Sequence, residues 1–231
     1  MMGRGAVAVL VLLLVCALAL ALLVLESAPR RSERVGGEEG GPPSKSLVVD
    51  TLNLAHWARR RGPRPARVGI CEALNTIDES APLLRKRFPD RLVYVVKERE
   101  SARTKEQCER ERALYQAAAR RANVRIDVVE QLPDESPGTP RAKNREPHAA
   151  RGRDDFYALM VAWRLNCGVL SKDRFRDLED MKGGDLPSFH VYRYSPFSSS
   201  PGRDFVKPSA AEFRRLRRPR LYSPEELLPS L

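Results

Sequence analysis

The chain has 231 residues, of which 42% are hydrophobic and 31% charged, so it holds one globular domain plus short additional segments. Lysine and arginine (41) outnumber aspartate and glutamate (30) for a formal net charge of +11, a balance that suits a polyanionic partner, nucleic acid or an anionic lipid surface, and equally a solvated basic face. Of the four cysteines, Cys16 lies in an apolar run, and Cys71, Cys108 and Cys167 are an odd number without metal-site spacing, read as reduced, partly buried thiols.

The first element is "AVAVLVLLLVCALALALLVL", residues 6–25, an uncharged apolar run long enough to cross a hydrocarbon core of roughly 30 Å. It predicts a single-pass membrane anchor within residues 1–28. The alternative is a signal peptide with Ala17, Ala19 and Ala21 as small residues for cleavage, which would leave a secreted or lumenal product. Only Arg4 precedes the run, whereas Arg30, Arg31 and Arg34 follow it, so the positive-inside bias places the rest of the chain in the cytosol. Residues 29–45, rich in Gly, Pro, Ser and charge, read as a flexible linker.

The folded domain is expected over residues 46–200, with a basic extension over 201–231. "LVVD" is a short buried strand ending on Asp50, and "TLNLAHW" leads into a basic, proline-containing turn. Ile70, Leu74, Ile77, Leu84 and Phe88 mark a helical stripe that Pro82 should kink or split. "RLVYVVKE" is a second strand. The next helix has the capping-box pair Thr104 and Gln107 at its start and Asn123 at its end, and "VRIDVVE" is a third strand. This alternation predicts an α/β domain with a mostly parallel sheet, whose functional groups gather outside the carboxyl ends of the strands. Residues 132–153 form a long basic loop; a helix from Asp154 to Asn166, a strand "VLS" and a fifth strand "SFHVYRY" follow, and the tail is helical and then irregular.

On that topology Asp50 closes the first strand, Asp154 and Asp155 open a helix, and Asp173 follows the fourth strand, so the four carboxylates can meet at one sheet edge. Hard oxygen ligands of this kind hold Mg²⁺ or Mn²⁺, which activates water for phosphodiester hydrolysis and needs neither histidine nor thiol. Each acid also has a structural explanation: Asp154 and Asp173 as N-caps, Asp155 as a first-turn dipole partner, Asp177 as an exposed ion-pair residue.

"VVDTLNLAH" resembles the "D-x-x-N" opening of NYN and PIN-like nucleases. "RDDFYALMVAWRLNCGVLSKDRFRDL" is similar to the segment of the Regnase-like NYN endoribonucleases in which a double aspartate starts a helix and "S-x-D-x-[FY]-R-D" follows a strand. The resemblance covers about residues 47–178. It implies a three-layer α/β/α PIN-like fold and divalent-metal-dependent cleavage of RNA, single-stranded or stem-loop. It assigns Asp50, Asp154, Asp155 and Asp173 to the catalytic and metal-binding centre, Asn53 to orienting the first turn or a bound phosphate, and Asp177 to a supporting role. The chain departs from the pattern at Thr51, where related proteins often have Gly, and in having no zinc-finger spacing.

RNA contacts must then come from basic residues near the acids: Arg59, Arg60, Arg61 and Arg64; Arg141, Lys143, Arg145, Arg151 and Arg153; and Arg174 and Arg176. Two other functions fit the same residues: an inactive PIN-like module that binds RNA or a protein, and a structure-specific DNA nuclease. A homodimer is compatible with all three.

Overall fold

In the computed structural model, residues 44–59, 69–97, 104–130, 153–175, 188–216 and 219–229 are described. At the centre is β1 (Ser46–Asp50), buried along its whole length. A five-residue run with no exposed face has to be sandwiched between layers, and β1 is an interior strand. It pairs in parallel with β2 (Arg91–Lys97) on one side and β4 (Gly168–Leu170) on the other. Next to β2 lies β3 (Arg125–Glu130), also parallel. The full order is β6-β5-β3-β2-β1-β4-β7.

Two departures from an all-parallel sheet come from the C-terminal part. The strands β5 (Phe189–Tyr194) and β6 (Gly202–Val206) form an antiparallel pair at the β3 edge. Beyond β4, the short strand β7 (Leu221–Tyr222) adds in parallel. Residues 201–231, set apart above as an extension, therefore contribute two strands to the same sheet. Gly168 admits β7: a Cβ there would lie 2.4 Å from the Tyr222 ring and 2.8 Å from the Arg220 carbonyl.

Alternation along the strands sorts the core into two clusters. Leu47, Val49, Leu92, Tyr94, Val96, Ile126 and Val128 pack with α1 (Thr51–Arg59), α2 (Ile70–Arg87), α3 (Lys105–Ala122) and the end of the short α6 (Pro224–Leu227). Val48, Val93, Val95, Val129, Val169 and Phe189 pack with α4 (Arg153–Arg164) and α5 (Ala210–Arg215). Helices thus cover both faces of the sheet, and each fully buried aliphatic or aromatic side chain contributes about 1.5–3 kcal/mol.

Local signals account for most element ends. Thr104 and Gln107 form a reciprocal capping box, and Asn123 ends α3 in the left-handed region at φ 52°. Pro82 does not split α2, which runs unbroken. It sits on the exposed side, where the carbonyl it leaves unpaired faces toward water, while the buried side is fixed by Leu74, Ile77, Ala81 and Leu84.

No helix of the described residues is long and apolar enough to cross a membrane. The expected anchor over 1–28, nearly all of the linker over 29–45 and the basic loop of 132–153 up to residue 152 lie outside the described residues.

Candidate functional site

The chain leaves β1 toward β2 and returns, after α4, to β4 on the other side of β1. The carboxyl ends of β1 and β4 therefore flank a switch in strand order, the place where open α/β sheets form their crevice. Asp50 is the last residue of β1 and is 7% exposed. One carboxylate oxygen, Oδ1, accepts the Asn53 backbone N–H at 3.2 Å and so caps α1. The other, Oδ2, accepts the Ser171 hydroxyl at 2.7 Å.

The segment after β4 is fastened to the same place. Ser171 Oγ accepts the Asp173 N–H at 3.0 Å, Asp173 Oδ1 accepts the Phe175 N–H at 2.9 Å, and Asn53 Oδ1 accepts the Lys172 N–H at 3.0 Å. The Asx-type bond at Asp173 accompanies a turn in which Phe175 has φ 51° and buries its ring in the α4 layer. Asn53 thus does structural work, tying α1 to the β4 turn. Thr51 is the first residue of α1 and is fully buried; its φ is not positive, so a β-branched side chain is tolerated there. Its hydroxyl has no hydrogen-bond partner.

From the other face, α4 brings Asp154 and Asp155 in its first turn. The four acids are near enough for their charges to act on one another. Burial pushes the Asp50 carboxyl up to about 7, against the hydrogen bonds from Ser171 and Asn53, and the charges of Asp154 and Asp173 push the same way. Burial also lifts Asp155 to about 8, with Asp154, Asp50 and Asp173 adding to it and Lys97 opposing. Asp154 is raised by burial and by Asp173, and its largest relief is Lys97, whose Nζ lies 4.0 Å from Asp154 Oδ1.

The donor set suits a hard divalent cation: carboxylate oxygens, partly desolvated and short of positive charge. Among the described residues, no three acidic, imidazole or thiol side chains converge on one point as ligands.

The remaining expected residues divide clearly. Arg59 is engaged with Glu72. Arg174 is exposed beside Asp173, and Arg153 is the first residue of α4. Arg60, Arg61, Arg64, Arg141, Lys143, Arg145, Arg151, Arg176 and Asp177 lie outside the described residues.

Sequence reasoning missed Ser171 and Lys97 as parts of this site. Ser171 stood in the quoted "S-x-D" stretch and ended the predicted strand "VLS", so the strand-end rule that selected Asp50 applied to it; Lys97 was the penultimate residue of the predicted "RLVYVVKE" and ends β2 only in the structure. It also missed a buried polar network behind α4. Asp127 is fully buried, accepts two bonds from Arg125 at 2.7 Å each and one from the Tyr157 hydroxyl at 2.8 Å. Arg193, which pairs with Asp204 at 2.5 Å, stands beside Tyr157. An acid in the middle of "RIDVV", two residues from an arginine on the same strand face, was the available signal.

Comparisons with protein-family models, with curated proteins and with solved structures found no match.

Proposed function

We propose that this chain is a metal-dependent endoribonuclease with a PIN-like, three-layer fold of the NYN type, tethered to a membrane by residues 6–25 with its catalytic domain in the cytosol. The observation that carries the reading is the gathering of Asp50, Asp154, Asp155 and Asp173 from three separate parts of the chain near the sheet's switch point, where burial first and their neighbouring charges second raise Asp50 and Asp155. A fold gains nothing from such repulsion; a cation and a phosphate do.

In this reading Asp50 presents its carboxylate in one orientation, because Ser171 and Asn53 hold both oxygens. Asp173 uses Oδ1 for its own turn and keeps Oδ2 for a cation or its water. Asp154 and Asp155 approach from α4 and complete the oxygen set. Bound Mg²⁺ or Mn²⁺ supplies water activation and neutralisation of the phosphate charge. The exposed Arg174 is placed to meet the RNA backbone beside Asp173.

The test is cleavage of a labelled single-stranded RNA by the full chain with Mn²⁺ or Mg²⁺, against EDTA and against Asp155→Asn. Metal-dependent cutting that disappears in the variant is expected. Metal-independent cutting overturns the mechanism, and cutting confined to branched DNA overturns the substrate. A second reading, a PIN-like module that binds without cutting, draws on the lack of three converging ligands among the described residues; a folded, metal-loaded protein that binds RNA and leaves it intact would establish it.

A further inference from the structure

β6 is the outermost strand on the β5 side of the sheet, so among the described residues one of its long edges has no neighbouring strand. Its pairing with β5 sets Arg203 opposite Tyr192, Asp204 opposite Val191 and Phe205 opposite His190. Side chains alternate along a strand, so Arg203 and Phe205 share the face away from α4, while Asp204 lies on the α4 face with Val191 and pairs with Arg193. Phe205 is 59% exposed, with its ring 5.2 Å from the His190 ring. The Arg203 guanidinium stands 5.4 Å over the Tyr192 ring, and its side chain is 52% exposed. Lys207 follows the strand, exposed and without an ion pair or hydrogen bond among the described residues.

An open cleft of about 470 Å³ lies at this edge, lined by Arg193, Arg203, Phe205 and Lys207 with Arg164 from the end of α4, and its one acid is Asp204. Arg164 and Arg203 have acidic partners in Glu212 and Glu130, which lie outside the lining. A guanidinium has five N–H donors, so each keeps some of them for a ligand. Charges on an edge strand also serve to block strand addition. Blocking does not account for an exposed phenylalanine set between two cations. Residues two apart on a strand are roughly 7 Å from one another, and the order cation, ring, cation suits a chain of phosphates that carries flat bases.

We propose that the β6 edge is a binding site for single-stranded nucleic acid, in which Phe205 stacks on one base and Arg203 and Lys207 hold the phosphates on either side. The site lies four strands away from β1, apart from the acidic crevice, and it holds the strand whether or not that strand is cut. Bases within a duplex are stacked on one another and do not reach the ring, so the site selects single strands. An anionic lipid headgroup offers phosphate but no flat base for Phe205.

The experiment uses the full chain in detergent with EDTA present, so that metal-dependent cleavage does not enter, and reads the fluorescence anisotropy of a labelled oligouridylate at several salt concentrations. Loss of one base stack raises Kd by about tenfold and leaves the salt dependence as it was. Phe205→Ala is expected to show this, and Phe205→Trp, which keeps a ring, to bind as the wild type does. Loss of one phosphate contact on a single strand lowers the slope of log K against log salt by about 0.7. Lys207→Ala is expected to lower it by that amount, and Arg203→Ala combined with Lys207→Ala by about twice as much. Binding of a duplex of the same length is expected not to respond to Phe205→Ala.

A wild-type chain that does not bind the oligouridylate overturns the proposal. So does an unchanged Kd in Phe205→Ala, which leaves only a charged edge that guards against strand addition. A duplex that loses as much affinity as the single strand in Phe205→Ala overturns the stacking. Binding to phosphatidylserine vesicles that needs Lys207, beside oligouridylate binding that does not, assigns the cations to a lipid surface and overturns the site. Thermal unfolding shows whether each variant folds; if Phe205→Ala does not, Phe205→Leu, which keeps apolar bulk without a ring, takes its place.

Discussion

Replacing Asp155 by asparagine should stabilise the metal-free protein, and the gain should depend on pH in a defined direction. The Asp155 carboxyl is raised from its ordinary value of 3.8 to about 8, first by burial and then by Asp154, Asp50 and Asp173. A carboxyl whose folded value is raised favours folding below its unfolded value and loses that contribution as pH climbs through the folded value. Taken alone, the lift corresponds to roughly 5–6 kcal/mol. Asp50, Asp154 and Asp155 titrate together, so protonation of one relieves the others, and the amide must still be desolvated. About 1–3 kcal/mol should remain at pH 8. For a domain of this size that is a rise in Tm of about 3–10 °C. Thermal unfolding of both proteins in EDTA, followed by circular dichroism at pH 8 and at pH 4, measures it. The difference should open between those pH values and narrow again when Mg²⁺ is added, because the cation stabilises the wild-type chain. A lower Tm for Asp155→Asn at pH 8, or the same difference at both pH values, would refute the account of Asp155 as an uncompensated charge.

Two further outcomes test the scaffold. Asp127→Ala leaves Arg125, whose side chain is 15% exposed, without its bidentate partner and Tyr157 without its acceptor; a loss of about 3–5 kcal/mol is expected from urea unfolding, the range for breaking a buried charge pair from one side. Gly168→Ala places a methyl against the Tyr222 ring and the Arg220 carbonyl. It should cost about 1–3 kcal/mol and speed amide exchange at Ser171, whose N–H donates to the Tyr222 carbonyl.

Several parts of the fold were legible because their causes are local. The apolar run of β1, the capping pair Thr104 and Gln107 and the left-handed Asn123 each act within a few residues, and each lies where the sequence places it. Pro82 leaves α2 unsplit for the opposite reason: the packing of Leu74, Ile77 and Leu84 under α2 outweighs one missing backbone bond on an exposed side. The candidate site divides in the same way. Asp50, Asp154, Asp155 and Asp173 could be picked out because an acid at the end of a buried run disturbs no packing. Lys97 and Ser171 acquire meaning only when β2 and β4 are laid beside β1.

By itself, then, the sequence determined β1 to β5, the helices α2 to α4 and the four acids, through periodicity, capping and charge, which operate over one turn or one strand; it did not mark α1, β6, β7 or α6. Only the tertiary structure decided that β5 and β6 reverse direction, that residues after 200 close both edges of the sheet, that Gly168 makes room for β7, and that Asp127 is paired with Arg125 and hydrogen-bonded by Tyr157. Those outcomes depend on which distant segments come into contact, and a strand's alternation states which face it buries without stating against which neighbour.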